Sequence, residues 1–280
     1  MTTHVVSDDL LGKINRRWWE VQRRVMEGTI DSDLVAHNLQ ATIEGVRVDM
    51  ANRYVDEEME STFTYPNGYA VDLIHYQIAK IELLFDLNPH PAFKLCKSLP
   101  KLPEGAEGWF AVPRWQAVAD TYGEAVEFVL AKLGKKRTFY NSCRDRLSEA
   151  YLRQSKQTIR FETQLAEAQD SNILIIPAQF GMRHRGRSVR RARVCFAQNE
   201  YGLGVFAVGA MLLTHPKREM VVEQLHVDCA GDEYSRNADG DFSNSQIFGW
   251  GITKLWLYHD EIGIASEKFG SVSAFGPQSN

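Results

Sequence analysis

Six arginines lie within eleven residues of a chain whose formal net charge is −4 at neutral pH. Positive charges this close together repel one another unless negative groups lie among them. Arginine presents a planar fork that holds two phosphate or carboxylate oxygens at once, which lysine cannot do. We call residues 180–193, which contain no lysine, the arginine segment; its arginines are Arg183, Arg185, Arg187, Arg190, Arg191 and Arg193.

The position of the arginine segment favours a binding site. It follows a predicted strand, and ligand sites in sheet proteins often lie where strands end. Gly181 and Gly186 would let the backbone approach a ligand closely. The segment therefore predicts binding of a polyanion, with nucleic acid or another phosphate-bearing ligand as the partner. The alternative is that the arginines form internal salt bridges with acidic residues downstream, because arginine is the usual partner in buried ion pairs.

A second group of chemically competent residues follows the predicted strand at 224–228. Asp228, Asp232 and Glu233 offer the oxygen ligands that a divalent metal prefers. A metal beside arginines could cleave phosphate esters, so the first alternative function is a metal-dependent phosphoesterase or nuclease. Carboxylates in such turns are also often just solvated. We expect no other cofactor, no residue is identified as catalytic, and the sequence leaves open whether the chain is an enzyme.

Two further patterns are weaker indications of a binding site. His226 and Cys229 have the local spacing of zinc ligands, but a second close pair of ligands is missing. Trp115, next to Arg114, and Trp19, beside arginines, are the tryptophans placed to stack on bases. The other tryptophans lie in apolar segments and are interpreted as core residues.

Composition sets the class of protein that these residues belong to. The chain has 280 residues, of which 44% are hydrophobic and 24% charged, as is usual for globular proteins. No apolar run is long enough to cross a bilayer, and the first residues do not resemble a signal peptide. Four cysteines lie far apart without a CxxC motif, which predicts reduced thiols. We therefore expect a cytoplasmic protein with no membrane partner.

The elements that would position these residues divide into an appendage and a main domain. Leu11, Ile14 and Trp18 form an apolar stripe at helical spacing, and a second helix is predicted after the break at residues 28–32. Residues 1–45 are therefore predicted to form a helical hairpin, for docking or, alternatively, as a DNA-binding helix-turn-helix. Residues 46–275 are assigned to the main domain and residues 276–280 to a frayed tail.

Helices are predicted early in the main domain and strands late. Strands are predicted at residues 108–112, 173–176, 224–228 and 252–258, and residues 205–213 form either a buried strand or a short core helix. A long polar helix within residues 135–168 could add Arg146, Arg153 and Arg160 to the basic surface. The order of elements predicts an α+β fold in which a mixed or antiparallel sheet packs with helices.

Three stretches carry a family resemblance: residues 102–115, residues 121–125, and the arginine segment continued through residues 199–204 and 212–216. With these stretches the chain resembles a group of uncharacterised bacterial proteins that share the layout over most of their length. The resemblance implies a bacterial cytoplasmic origin and a single core, and it implies no activity.

The sequence thus predicts a cytoplasmic bacterial protein that binds a polyanion through the arginine segment. The alternatives are the metal-dependent phosphoesterase or nuclease and, from another class, a structural or protein-interaction component whose arginines pair internally. The oligomeric state is not indicated by the sequence.

Overall fold

The computed structural model of the chain describes residues 8–27, 35, 36, 39, 53–218, 223–251 and 253–277. Contacts divide the chain into two compact units, Met1–Met50 and Ala51–Asn280. In the first unit, helix α1 spans Asp8–Met26, as the apolar stripe predicts. Its last turns carry ion pairs from Arg23 to Glu20 and Glu27, at 2.7 and 2.6 Å. The second helix of the predicted hairpin lies mostly outside the described residues.

The second unit contains a four-stranded antiparallel sheet. Its strands are β1 (Gly108–Pro113), β4 (Ile173–Gln179), β5 (Glu200–Gly202) and β11 (Ser273–Phe275). They lie in the order β1-β4-β11-β5. All seven residues of β4 are buried, which explains its run of apolar β-branched residues.

A second sheet in this unit is mixed. It consists of β2 (Phe139–Asn141), β3 (Leu152–Gln154), β6 (His226–Asp228), β7 (Asp232–Tyr234), β8 (Asn244–Trp250), β9 (Leu255–Glu261) and β10 (Phe269–Ser271). The long strand β8 pairs with β9 along one edge and with β6 and β7 along the other, all antiparallel. The parallel pairs are β10 with β6 and β2 with β9.

Six helices complete the described part of this unit. They are α2 (Ile74–Phe85), α3 (His90–Leu95), α4 (Tyr122–Lys136), α5 (Lys156–Gln169), α6 (Val189–Cys195) and α7 (Val205–Thr214). Every residue of α7 is buried, and the helix packs against α4, α2 and β1. A helix that is apolar on all sides must lie inside the protein. This settles the sequence alternative at residues 205–213 in favour of a core helix.

Local capping explains where helices α4 and α5 begin. Helix α4 starts with a capping box, in which Thr121 Oγ1 accepts from the Glu124 amide and Glu124 accepts from the Thr121 amide. Ser155 caps α5 by accepting from the amide of Thr158. The predicted polar helix therefore begins only at Lys156. Arg146 lies before it in a turn and Arg153 lies in β3, so these two arginines share no helical face with Arg160.

The α+β class with mixed and antiparallel sheets is thus confirmed. The strands predicted near residues 108, 173, 224 and 252 correspond to β1, β4, β6 and β9. No helix within the described ranges is both long and apolar enough to cross a bilayer.

Three glycines allow the loops after β5 and β6 to cross closely. The Gly231 amide donates to the Leu203 carbonyl at 3.0 Å, and Thr158 Oγ1 contacts the carbonyl oxygens of Gly202 and Gly231 at 3.0 and 3.1 Å. A β-carbon on Gly202 would overlap the backbone carbonyl of Ala230. One on Gly204 would overlap the side chains of Asp232 and Tyr122. Glycine is therefore required where these two loops meet.

We expect Gly202→Ala to lower the free energy of unfolding by about 2–3 kcal/mol, because a methyl group forced against backbone atoms cannot be relieved by a side-chain rotation. Gly134→Ala is the matched control. Gly134 lies inside α4 with open space around its α-carbon, so the same change should stabilise the helix by about 0.5–1 kcal/mol. Urea unfolding monitored by tryptophan fluorescence measures both. Equal effects of the two substitutions would contradict the proposed close crossing.

Candidate functional site

The arginine segment connects β4 to β5 and is tied to the protein on both sides. Gly181 and Gly186 have φ angles of 115° and 77°, values that favour glycine. A β-carbon on Gly181 would lie 2.8 Å from the Gly270 carbonyl oxygen, and one on Gly186 would overlap the Met59 carbonyl. Both glycines thus allow close approach, as predicted, but what approaches them in the structure is the chain's own backbone.

Two consecutive acids, Glu57 and Glu58, face the arginines from a segment more than a hundred residues upstream. Arg190 Nε lies 2.8 and 3.0 Å from the two carboxylate oxygens of Glu57, and Ser188 Oγ donates to the same carboxylate at 2.6 Å. Burial alone would raise the pKa of Glu57, but the hydrogen bonds from Arg190 and Ser188 outweigh it and lower that pKa. Glu57 is therefore held as a carboxylate.

Glu58 binds two further arginines. Arg191 Nε donates to Glu58 Oε1, and Arg187 Nε lies 3.4 Å from the same oxygen. Arg191 also donates through Nη1 to the Arg53 carbonyl at 2.8 Å. Its side chain is only 8% exposed, so it is not available to a ligand at the surface.

A third acid, Glu200, lies fully buried at the start of β5. Its Oε1 accepts from His184 Nε2 at 2.8 Å and from Ser273 Oγ at 2.5 Å, and Arg183 Nε lies 3.3 Å from Oε2. Burial would raise the pKa of Glu200, but these contacts together hold it well below its usual range. Burial lowers the pKa of His184. Arg187 can only donate, so His184 Nδ1 accepts from it and Nε2 carries the proton donated to Glu200.

The remaining two arginines differ from each other. Arg193 donates to the carbonyl oxygens of Ala230 and Asp232, at 3.0 and 2.6 Å. Arg185 is exposed, and its described contacts are the Phe63 carbonyl at 3.4 Å and the Met182 sulfur at 3.2 Å. This geometry favours internal pairing, although the partners are Glu57, Glu58 and Glu200 rather than the acidic stretch downstream. Polyanion binding stays a prediction, for which Arg183 and Arg185 are the exposed residues.

The three predicted metal ligands make separate contacts. Glu233 accepts from Arg153 Nε at 2.7 Å. Asp232 accepts from the hydroxyl of Tyr122 and the amide of Val205, and Asp228 lies on β6 beside Ile247 of β8. No group of three or more His, Cys, Asp or Glu side chains in the described part of the chain is placed to hold a metal ion.

Asp232 instead belongs to a buried polar cluster at the start of α7. The Tyr122 hydroxyl lies 2.8 and 2.9 Å from its two oxygens, and the Val205 amide donates at 2.7 Å. The first turn of a helix favours negative charge. Burial nevertheless dominates and raises the pKa of Asp232 to about 7.

Beside this cluster lies a partly open cavity of about 250 Å³. Its walls come from strands β1, β4 and β5 of the first sheet and from helices α5 and α7. Apolar side chains form most of the lining, and the ionisable side chains among the lining residues are Arg114, Glu162, Glu167 and Tyr201. We call this space the Glu162 cavity. Trp115, one of the two tryptophans singled out in the sequence, is part of its wall.

Glu162 is fixed on one side only. Trp115 Nε1 donates to Gln154 Oε1 at 3.0 Å, and Gln154 Nε2 donates to Glu162 Oε2 at 2.8 Å. This chain orients the carboxyl group, while Oε1 accepts no hydrogen bond from any described residue. Burial raises the pKa of Glu162 to about 7, and the hydrogen bond from Gln154 opposes it only in part. A carboxyl group with such a pKa can gain or lose a proton near neutrality.

Tyr201, on β5, is a second ionisable residue of the cavity wall. Its ring stacks on Phe161 with centroids 5.0 Å apart and is fully buried. Its hydroxyl has no hydrogen-bond partner. Burial and the nearby charge of Glu162 raise its pKa, so the hydroxyl stays protonated. A buried hydroxyl without a partner costs about 1–3 kcal/mol.

Sequence reasoning missed Glu162 and Tyr201 as site residues. A signal was present for Glu162, because Thr158, Glu162 and Ala166 recur every four residues along α5 beside the buried Phe161 and Leu165. A carboxylate on such a stripe, at the border of the buried face, faces protein rather than bulk solvent. Tyr201 carries no comparable signal.

No family model matches the chain, and neither does any curated protein or solved structure.

Proposed function

We propose that the chain binds a small organic molecule in the Glu162 cavity. One observation carries this proposal: Glu162 presents an oriented carboxyl group with an open oxygen to a partly open cavity lined by both apolar and polar side chains. Ligand sites are typically such cavities, apolar with a few convergent polar groups. A ligand group that donates to the open oxygen of Glu162 would use a carboxyl group that is already oriented by Gln154.

The wall of the cavity is built for a fixed geometry. Gln154 holds Glu162 and is itself held by Trp115, so the carboxyl group is oriented before a ligand arrives. The Trp115 ring meets Tyr122 edge-on with centroids 5.8 Å apart, and Tyr122 is anchored by Asp232. Preorganisation of this kind reduces the entropy that binding must overcome.

Filling the cavity tests the proposal. Ala166 lines it one helical turn from Glu162, whereas Ala168 is exposed on the same helix and does not. We expect fragment-sized organic molecules that raise the melting temperature of the wild type to do the same for Ala168→Leu. They should fail with Ala166→Leu, whose side chain takes the space. Calorimetric titration of each such fragment confirms direct binding. The proposal is wrong if no fragment binds, or if Ala166→Leu binds as the wild type does.

A further inference from the structure

The charges around the Glu162 cavity select among classes of ligand. Its wall carries two carboxyl groups, Glu162 and Glu167, and one guanidinium, Arg114. Glu167 is exposed, whereas Glu162 is half-buried beside apolar side chains of the cavity wall. A carboxylate among apolar groups is unfavourable without a cation, and an anionic ligand would make it more so. The inner part of the cavity is therefore suited to a positive charge.

The aromatic residues of the wall strengthen this selection. Trp115, Tyr201 and Phe206 all line the cavity. The faces of such rings are negative and attract cations, most strongly where water is excluded. Aromatic rings beside one open carboxylate oxygen form a combination that recognises an ammonium group. A neutral hydroxyl or amide of the same size would use the hydrogen bond to Oε1 but gain little from the rings.

We propose that the ligand of the Glu162 cavity carries a primary ammonium group, which donates to Oε1 of Glu162 and packs against the aromatic rings. This inference rests on the proposed function, because it names the chemical class of the molecule bound there. The Arg114 guanidinium lies in the wall where β1 ends and makes no described ion pair. Its N–H groups are free to donate to an acceptor group elsewhere on the same ligand.

Binding of an ammonium group is linked to the protonation of Glu162. Only the carboxylate attracts the cation, and the free carboxyl group titrates near pH 7. The affinity should therefore fall about tenfold per pH unit below that value. The other charged or titratable groups around Glu162 are Glu167 on the same helix, Arg114 after β1, Tyr122 on α4, Tyr201 on β5 and Asp232 on β7.

Matched probes test the inference. Benzylamine, benzyl alcohol and benzoate share a ring and differ in the charge of one substituent, and butylamine with butanol repeats the comparison without a ring. Calorimetric titrations at pH 8 and pH 6 should show each amine binding roughly ten- to a hundredfold more tightly than its alcohol at pH 8. The preference should shrink at pH 6. It should vanish in Glu162→Gln, which keeps the shape and removes the charge, and persist in Glu167→Gln.

The outcomes separate this inference from the proposed function. If alcohols bind as tightly as amines, if benzoate binds best, or if the preference survives in Glu162→Gln, the ammonium inference is overturned and the cavity remains a ligand site. If none of these probes binds while neutral fragments do, the ammonium inference is also overturned and the cavity remains a ligand site. If nothing binds and Ala166→Leu behaves as the wild type, both proposals fail. Circular dichroism of each variant establishes that it is folded.

Discussion

Replacing Glu200 with alanine is expected to lower the free energy of unfolding by about 3–5 kcal/mol, because it leaves several buried hydrogen-bond donors without an acceptor and opens a cavity. The Glu200 side chain is fully buried and accepts from four groups: His184, Arg183, Ser273 Oγ and the Ala197 amide. None of these donors has another carboxylate within reach in the described structure. Urea unfolding monitored by tryptophan fluorescence gives the value directly.

Two further substitutions show whether the charge or the volume of Glu200 matters. Glu200→Gln keeps the volume but replaces one acceptor oxygen with a donor, and both oxygens face donors in the structure. It should therefore still cost about 1–3 kcal/mol. Glu127 is exposed on α4, and Glu127→Ala should stay within about 0.5 kcal/mol of the wild type. If Glu200→Ala were no worse than Glu127→Ala, the contacts of Glu200 with Arg183 and His184 would not be stabilising the fold.

The sequence of the arginine segment predicts a ligand site, whereas the structure favours internal pairing. Its local features are real: the arginines are dense, and both glycines allow close backbone approach. What the sequence could not show is that Glu57 lies beside Arg190, because 133 residues separate them and only the tertiary fold brings them together. An unpaired arginine cluster and an internally paired one have the same local sequence.

The fold can be predicted from the sequence more fully than the site, for a physical reason. Strand β4 and helix α1 are determined by neighbouring residues, so the periodicity of apolar residues identifies them. The cavity depends on which side chains meet across β1, α5 and α7. Trp115 was singled out because a tryptophan beside an arginine is unusual, but Glu162 looked like one more charge on a polar helix. Its raised pKa comes from the surrounding apolar walls, which no local pattern contains.

Asp228→Asn is expected to raise the free energy of unfolding at pH 8 by roughly 3 kcal/mol while changing it little at pH 4. Asp228 is 3% exposed on β6, and its carboxyl group accepts no hydrogen bond from any described residue. Burial, with a smaller contribution from the charge of Asp260, raises its pKa from 3.8 to about 7. A carboxyl group that is more basic in the folded than in the unfolded state stabilises the fold at low pH. That stabilisation is lost as the pH rises from about 4 to about 7.

The groups around Asp228 do not reverse this sign. Asp260 is acidic, and Tyr258, whose pKa burial and the charge of Asp228 raise well above its usual range, stays neutral throughout. Ser271 is the neighbour of Asp228 on β10, and its buried hydroxyl has no partner. His226, two residues before Asp228 on the same strand, is largely buried as well. Asparagine imitates the protonated acid, so it should fit where the carboxylate does not.

Comparing the variant with the wild type isolates Asp228 from other titrating groups. His215 works in the opposite sense, because burial lowers its pKa to about 4 and its contribution is lost as the pH falls below about 6.5. That contribution is the same in both proteins and cancels in their difference. The difference should therefore grow from pH 4 to pH 7 and then level off. Asp120→Asn, at an exposed position, should show no such growth. A flat difference for Asp228→Asn would mean that Asp228 is solvated in the folded protein.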